Sequence, residues 1–400
     1  MTSALPRTAD AVVVGGGTIG AWCAWFLREA GLTDVVLLER DTLGAGASPR
    51  AAGMVRAQGG TEVAVRLGLF TRDFYVSQPD RVPLDSGFVA QGYSMPCFSD
   101  DQVAQAHERI AMQQALGLDV RWVDPDELDE LNPAMATGQT QGGSYAPGDG
   151  YIDPPRNVLA YTAALVAAGV HVVERTAFTG LHRDGDRVLG VRTTAGEIAT
   201  ERVVLTGGPT LAEVGRAAGV TIPSGGTRHQ VVVTEPHPGL APDRLPMVFD
   251  VASGIYWRPE AGGLMWGMSN PDEPPGEARD FDWAYYDTMR RRIATLVPVT
   301  AELGLRRTWA ATIDYTPDHL PILGPLLTDD GPVPGAVVAA AGGHGMMWGP
   351  GVSSVAADLV TTGTTDLVDV TDLGLDRFDA RGRSRLAPDP IALPFPESAT

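Results

Sequence analysis

The chain has 400 residues, of which 44% are hydrophobic and 20% charged, and its formal net charge at pH 7 is −19. This composition is typical of a folded globular protein, and the length predicts two domains rather than one hydrophobic core. Such a negative charge, without a run of lysine or arginine, argues against nucleic acid and anionic membranes as partners.

The first predicted unit is a strand, a glycine-rich turn, a helix and a second strand. Its motif consists of Gly15, Gly17 and Gly20, between apolar strands at 11–14 and 35–38. This order predicts dinucleotide binding, because the glycines permit a tight turn, a close backbone approach to the pyrophosphate and close helix packing. Glu39, which follows the second strand, accepts hydrogen bonds from ribose hydroxyls and disfavours the 2′-phosphate of NADP. The unit alone leaves FAD and NAD open.

The next segment, residues 43–56, is dense in small residues, which indicates backbone packed against a ligand. Together with the first unit, its pattern of Gly46, Ser48, Ala52, Gly53 and Arg56 resembles the D-amino-acid oxidase/sarcosine oxidase superfamily of FAD enzymes. Further segments with the family's motifs follow in order at 150–154, 202–208, 316–325 and 340–350. The likeness covers roughly residues 10–365 and is closest to the sarcosine oxidase β-subunit type.

This resemblance implies an α/β fold with two domains, both discontinuous in the sequence. A Rossmann-like FAD-binding domain would contain residues 1–88, 150–228 and 313–378. An α+β substrate-binding domain with a mainly antiparallel sheet would contain residues 89–149 and 229–312. The proline-rich tail, residues 379–400, is predicted to be extended and packed on the surface or on a partner subunit.

The resemblance also implies where the cofactor is bound. The predicted FAD-binding residues are Gly15, Gly17, Thr18, Ile19, Gly20, Glu39, Arg40, Gly46, Ala47, Ser48, Ala52, Gly53, Met54, Gly207, Gly208, Gly343, His344, Gly345, Met346 and Met347. A predicted strand at 336–341 ends in two glycines before a helix at 351–362, which independently predicts a second helix N-terminus facing a ligand. Related enzymes tether FAD through a histidine where this chain has Arg50, or through a cysteine before Thr316 where it has none, so noncovalent FAD is expected.

In this superfamily the flavin N5 takes a hydride from a carbon next to an amine, and the product is an imine. The chain is therefore expected to be an FAD-dependent amine or amino-acid oxidase or dehydrogenase acting on CH–NH donors. The candidate catalytic residues are His344, Arg56 and Met265, and the candidate substrate-binding residues are Arg56, Tyr256, Arg258, Met265 and Trp348.

Two departures from the better-known sarcosine oxidases refine this expectation. Met265 stands where those enzymes carry a lysine that promotes oxygen reduction, so fast reaction with O2 is not expected. Met347 stands where they carry a carboxylate-binding lysine. Arg56 and Arg258 are then the cations whose guanidinium groups suit a carboxylate.

Two cysteines, Cys23 and Cys97, provide no metal-ligand spacing and no disulfide framework, so no metal is expected. The absence of a visible signal sequence or of an apolar run of about 20 residues predicts a cytoplasmic protein. The electron acceptor, O2 or a partner protein, and a homo- or hetero-oligomeric state stay open. Three alternatives remain: a tailoring oxidase for a bulkier natural-product amine, a β-like subunit that needs partner chains, and an NAD enzyme.

Overall fold

A computed structural model describes residues 5–240 and 245–392. Predictions for residues 1–4, 241–244 and 393–400, including the last part of the C-terminal tail, lie outside the described residues. The helices are α1 (Thr18–Glu29), α2 (Glu62–Arg81), α3 (Asp100–Ala115), α4 (Pro125–Leu131), α5 (Pro154–Ala167), α6 (Leu211–Ala217), α7 (Trp283–Leu296) and α8 (Gly349–Thr362). Within the described residues, none of them is both long and apolar enough to cross a membrane.

The strands form four sheets. In chain order they are β1 (Ala11–Val14), β2 (Val35–Leu38), β3 (Met54–Val55), β4 (Val89–Ala90), β5 (Tyr93–Pro96), β6 (Arg121–Val123), β7 (Gly143–Ala146), β8 (Gly150–Tyr151), β9 (His171–Val173), β10 (Phe178–Asp184), β11 (Arg187–Thr193), β12 (Gly196–Ala199), β13 (Val203–Leu205), β14 (Gly225–Thr234), β15 (Met247–Phe249), β16 (Tyr256–Glu260), β17 (Gly263–Ser269), β18 (Leu305–Tyr315), β19 (Ile322–Thr328) and β20 (Gly331–Ala340). The two larger sheets carry the candidate site, and the three-stranded sheet β3-β8-β4 joins segments from both predicted domains.

A six-stranded sheet in the order β19-β20-β13-β1-β2-β9 forms the dinucleotide-binding half. Its strands are parallel except for β19, which pairs antiparallel with β20. Every residue of β1, β2 and β13 is buried, as expected for parallel strands that are covered on both faces and read as continuous apolar runs. One face packs on α1, α2, α5 and α8, and the other on the antiparallel sheet β10-β11-β12 and on α6.

An eight-stranded sheet in the order β18-β14-β17-β16-β15-β5-β7-β6 forms the other half. It is antiparallel apart from the parallel pair β15 and β5. Side chains alternate between its faces: Trp257 and Trp266 pack against α7, whereas Tyr256 and Met265 lie on the opposite face. These two sheets confirm the predicted fold class, a Rossmann-like unit together with a mainly antiparallel α+β unit.

The predicted domain boundaries remain a prediction, but two of them fall within strands. The boundary at 228/229 divides β14, and the boundary at 312/313 divides β18. These two strands pair along their whole length, from Gly225 with Tyr315 to Thr234 with Leu305. By pairing, both strands belong entirely to the eight-stranded sheet.

The described part of the C-terminal stretch is exposed or half-buried from residue 379 to residue 388. After a turn in which Ser384 bonds to Asp318, the side chains of Asp389 and Ile391 are buried, whereas Pro390 between them is exposed. The packing of this tail on the surface or on a partner subunit stays a prediction, because the many prolines indicate an extended backbone but not where it packs.

Candidate functional site

A cavity of about 450 Å³ lies between the six-stranded and eight-stranded sheets. Every predicted cofactor-binding residue lines it, from Gly15 at the dinucleotide turn to Met347 before α8. Among the predicted catalytic and substrate-binding residues, His344, Arg56 and Tyr256 also line the cavity, whereas Arg258, Met265 and Trp348 are not part of its lining.

The turn between β1 and α1 has the shape of a cradle that side chains would fill. Gly15 has a left-handed φ of +103°, which favours glycine. A Cβ on Gly20 would lie 1.9 Å from the carbonyl oxygen of Gly15, whereas a Cβ on Gly17 would make only an ordinary contact of 3.4 Å with the Oγ of Ser48. The backbones of Gly15 and Gly20 therefore approach each other with no room for a side chain, as in a pyrophosphate-binding turn.

The N-terminus of α1 is open towards the cavity. Its N-cap residue, Gly17, provides no side-chain cap, so the positive end of the helix dipole faces the space between the two sheets. The backbone N–H and the hydroxyl of Thr18 each lie 3.0 Å from the Oγ of Ser48. This contact joins the dinucleotide turn to the small-residue segment 43–56, and it explains why the two motifs occur together.

Glu39 lies at the end of β2, where its carboxylate reaches the same turn. One carboxylate oxygen accepts from the backbone N–H of Gly16 at 2.7 Å and the other from that of Asp41 at 2.8 Å. Arg40 is exposed at the rim of the cavity and pairs with Glu213 and Glu277 at 3.3 and 3.2 Å. An acidic group therefore stands at the predicted ribose position, while the neighbouring cation is already paired with two carboxylates.

The turn before α8 lines the cavity from Gly343 to Met347, and no described residue of α8 itself is part of the lining. The turn before it contains Gly342 and Gly343, both with left-handed φ angles, of +57° and +97°. The N-cap residue, Trp348, provides no side-chain cap. Burial raises the pKa of Asp314, and the backbone amides of residues 341–343 counteract this rise. The Asp314 carboxylate thus holds the turn that presents His344 to the cavity.

His344 carries an unpartnered polar atom inside the site. Its Nδ1 lies 3.2 Å from the carbonyl oxygen of Gly342, which requires Nδ1 to donate. Its Nε2 is buried and has no hydrogen-bond partner among the described residues. Burial, with the charges of Arg56 and His319 next in size, lowers the pKa of His344 to about 3. The ring is therefore neutral, and its Nε2 is an acceptor available to a group bound in the cavity.

Three buried side chains form a hydrogen-bonded chain on the side of the eight-stranded sheet. The Nε2 of His229 lies 2.5 Å from the hydroxyl of Tyr256, and its Nδ1 lies 2.8 Å from the Oγ of Ser269. A Cβ on Gly267 would lie 2.1 Å from the Tyr256 hydroxyl, so glycine makes room for the phenol to cross β17. Burial raises the pKa of Tyr256 and lowers that of His229 to about 4. Both groups are therefore neutral at physiological pH.

This depressed pKa predicts acid sensitivity of the fold. The unfolded chain would protonate His229 near pH 6.5 and the folded chain only near pH 4, so the unfolded state binds more protons between these values. The free energy of unfolding should fall as the pH drops through this window, by up to about 3 kcal/mol for this residue. His229→Gln retains a donor and an acceptor, and should reduce that decline in denaturant titrations at pH 7.5 and pH 5. The matched change His182→Gln, at an exposed histidine, should leave the decline unchanged. Equal declines in H229Q and in the unsubstituted protein would refute the role of His229 in acid sensitivity.

The two candidate carboxylate-binding arginines both have protein partners. The guanidinium of Arg56 is buried, donates to the carbonyl oxygens of Gln58 and, at 2.8 Å, Ile391, and lies over the Phe249 ring. Arg258 pairs with Glu260 at 2.6 Å and stacks on Tyr151 at 4.2 Å. The binding of a carboxylate by either arginine stays a prediction, and it would require an existing partner to be replaced or shared.

Met265 and Trp348 lie behind the lining of the cavity. Met265 packs with Val231 and Val233 against Ala52, which itself lines the cavity. Trp348 stacks on His344 with ring centroids 4.0 Å apart and supports that ring from the core. In this structure both residues therefore support side chains of the lining and do not themselves face the cavity.

Sequence reasoning missed several residues of the lining. Tyr93, Phe249 and His229 belong to strands β5, β15 and β14, which meet only through the pairing of the eight-stranded sheet. None of them lies in a glycine-rich or charged motif. The alternation of side chains along each strand could have placed them on one face, but it could not have indicated which face meets the cofactor.

Comparison with known proteins extends this description. The family model described as FAD-dependent oxidoreductase (DAO) matches residues 10–359. The chain is 30% identical to 4-methylaminobutanoate oxidase (formaldehyde-forming) of Paenarthrobacter nicotinovorans, over 95% of this chain and 47% of that protein. It is 31% identical to mitochondrial sarcosine dehydrogenase of Mus musculus, over 80% of this chain and 36% of that protein. It thus spans less than half the length of these two relatives.

A solved structure of similar length has the same fold. The crystal structure of L-proline dehydrogenase from P. horikoshii superimposes with a TM-score of 0.86 at 26% sequence identity. The match covers 95% of this chain and all of that one. The fold of that structure is therefore matched over its whole length.

Proposed function

The chain belongs to the family of FAD-dependent oxidoreductases, and we propose that it oxidises a C–N bond of an amine or an N-alkyl amino acid. The observation that carries the proposal is the continuity of the cavity. At one end it has the glycine turn with Glu39, and at the other the Tyr256–His229 pair of the antiparallel sheet. This arrangement would place a small molecule next to the reactive end of a dinucleotide cofactor.

The residues present fit FAD, as the glycine cradle and the unpartnered Nε2 of His344 indicate. The α1 N-terminus would hold the diphosphate. The Glu39 carboxylate would accept hydrogen bonds from ribose hydroxyls in place of those it accepts from backbone amides. Segments 46–54 and 343–347 would flank the flavin ring. When bound, the flavin would accept a hydride from the carbon next to the amine nitrogen, which gives an imine. We propose noncovalent binding, since Arg50 replaces the tethering histidine of related enzymes.

The chain's own residues would position the amine. The neutral Tyr256 hydroxyl, held at 2.5 Å by His229, offers a fixed polar contact, and the neutral Nε2 of His344 offers an acceptor. Buried apolar side chains, among them Phe249 and Met54, would exclude water from the reacting carbon. No acid or base on the protein is obligatory for this reaction, because the cofactor carries the electrons.

The direct test is anaerobic reduction of the purified yellow protein. Each candidate amine, for example sarcosine, N-methylated amino acids and simple N-methyl amines, is added without oxygen while the flavin absorbance is followed. We expect bleaching by at least one secondary or tertiary amine and none by the corresponding alcohol. The proposal fails if the FAD-loaded protein remains yellow with every amine, and the choice of cofactor fails if the protein binds no flavin.

Slow reoxidation in air is a further expectation. A cation close to the flavin would favour oxygen reduction electrostatically, whereas Met265 places an apolar thioether behind Ala52. Met265→Lys should therefore raise the reoxidation rate on mixing the reduced protein with air, on the order of a hundredfold. Met265→Leu is the matched control and should leave the rate unchanged. Rapid reoxidation of the unsubstituted protein would contradict the expectation that Met265 keeps the reaction with oxygen slow.

A second candidate is a β-like subunit that binds FAD but needs partner chains for turnover. The observation that favours it is the resemblance of the sequence motifs to the sarcosine oxidase β-subunit type. The oligomeric state on gel filtration, measured together with amine-dependent bleaching, separates the two proposals. A protein that bleaches with an amine when purified alone excludes the need for partners.

A further inference from the structure

The C-terminal segment Asp389–Ile391 is held by hydrogen bonds of its own, with the side chains of Asp389 and Ile391 buried and Pro390 exposed between them. The Asp389 carboxylate accepts from the backbone N–H of Ile391 at 2.8 Å, and the Asp389 N–H donates to the carbonyl of Asp318 at 3.3 Å. A Cβ on Gly60 would lie 2.2 Å from the Asp389 carboxylate and 2.7 Å from the ring of Pro390. The segment is therefore packed closely against the backbone that follows Arg56.

Ile391 is not part of the cavity lining, but its side chain packs directly behind residues that are. It is 1% exposed and belongs to a cluster whose other members are Met54, Tyr93, Met95, Met247, Phe249 and Tyr256. Four of these, Met54, Tyr93, Phe249 and Tyr256, are cavity residues. Ile391 thus packs against the part of the lining that contains the Tyr256 phenol, away from the dinucleotide turn.

The backbone of the same residue engages the candidate carboxylate anchor. The carbonyl oxygen of Ile391 accepts from the guanidinium of Arg56 at 2.8 Å, and the other terminal nitrogen of Arg56 donates to Gln58. A buried guanidinium that already has two carbonyl partners gains less from a substrate carboxylate than a free one would, because one of those bonds must be replaced. The second cation, Arg258, is paired with Glu260.

We infer that Ile391 determines specificity from behind the lining of the substrate pocket: its side chain supports the wall that limits the size of the apolar group, and its carbonyl occupies Arg56. The favoured substrate is then a small amine without a carboxylate at the Arg56 position. This inference rests on the proposed function and deepens it. One methylene in an apolar pocket changes discrimination by about tenfold or more, so a single isoleucine is sufficient for the size limit.

The experiment uses FAD-loaded protein and two C-terminal truncations. Truncation after Pro388 removes the segment and frees Arg56, whereas truncation after Ala392 retains it and is the matched control. The probe is benzoate, whose dissociation constant is measured from the change in the visible flavin spectrum, with benzamide as the uncharged analogue. We expect truncation after Pro388 to tighten benzoate binding about tenfold relative to the control, with no comparable change for benzamide. Equal benzoate binding by the two truncations would overturn the assignment of Arg56.

A second variant tests whether the Ile391 side chain limits the size of the substrate. It also keeps the proposal testable if the protein truncated after Pro388 no longer binds FAD. Ile391→Ala retains the carbonyl and removes most of the side chain. It should raise kcat/KM for an amine one or two methylenes larger by about tenfold relative to the smallest substrate, with unchanged benzoate binding. An unchanged ratio would refute the specificity role. If no variant oxidises any amine, the proposed function fails, while the benzoate titration still tests the contact between Ile391 and Arg56.

Discussion

Gly20→Ala should abolish or severely weaken FAD binding. The added methyl group would lie 1.9 Å from the carbonyl oxygen of Gly15 and 2.9 Å from the Oγ of Thr206. The closer atom belongs to backbone rather than to a flexible side chain, so α1 must move away from β1 or the turn must open. Overpacking of this kind costs about 1–3 kcal/mol, and more where the backbone itself must move. Either movement displaces the helix N-terminus from the diphosphate.

The measurement is the ratio of flavin to protein absorbance after purification, followed by titration of the apoprotein with FAD. We expect an affinity at least about tenfold lower than that of the unsubstituted protein. Gly276→Ala is a matched control, because a Cβ there meets no atom within 4 Å. Normal flavin content in G20A would show that the turn tolerates a displaced helix and would remove the main support for the cradle.

The cofactor side of the site could be predicted because its chemistry is local in sequence. Gly15, Gly17 and Gly20 are defined by close contacts within one turn, and Glu39 follows at the end of the adjacent strand. A turn of this kind allows few sequences, so a short motif identifies it. The predicted cofactor residues from segments 43–56, 202–208 and 340–350 were placed by the family resemblance, and they line the same cavity.

The substrate side could not be predicted in the same way. His229, Tyr256 and Ser269 meet only because β14, β17 and β16 are neighbours in the sheet. Proximity in sequence to a site residue was also a poor guide. Trp348 lies one helical turn after His344, so its ring supports that residue from the core instead of lining the cavity. The position of Ile391 depends on where a tail packs, which composition does not determine.

Asp318 lies in one of the family motifs, but its structural role could not be predicted from the sequence. The resemblance placed it in a distinctive segment, but the structure shows a buried ion pair with Arg377 rather than a contact with the cavity. The two groups bond through two contacts of 2.7 and 3.0 Å and are at most 1% exposed. The same carboxylate accepts from Ser384. Asp318 thus joins the end of β18 to the segment that leads to Ile391.

Arg377→Met should therefore be strongly destabilising, by about 3–5 kcal/mol, because it leaves the Asp318 carboxylate buried without its counter-charge. Burial acts to raise the pKa of Asp318, but the hydrogen bonds and charge of Arg377 hold it below its usual value. The pair therefore contributes stability above the ordinary carboxyl pKa, and this contribution is lost as the pH falls. Denaturant titration at neutral pH measures the effect. Arg383→Met, which breaks the exposed pair with Asp379 at 2.7 Å, should cost at most about 1 kcal/mol.

The double variant Asp318→Leu with Arg377→Met distinguishes a lost ion pair from lost packing. Replacing a whole buried pair with apolar side chains is often close to neutral, whereas removing one partner leaves an uncompensated charge. We therefore expect the double variant to be more stable than Arg377→Met alone, with a weaker loss of stability in acid. If the double variant is instead as unstable as the sum of the two single changes, the contacts of Asp318 with Ser384 and of Arg377 with the carbonyl of Leu373 dominate. In that case the segment would depend on its hydrogen-bond geometry rather than on the neutralisation of charge.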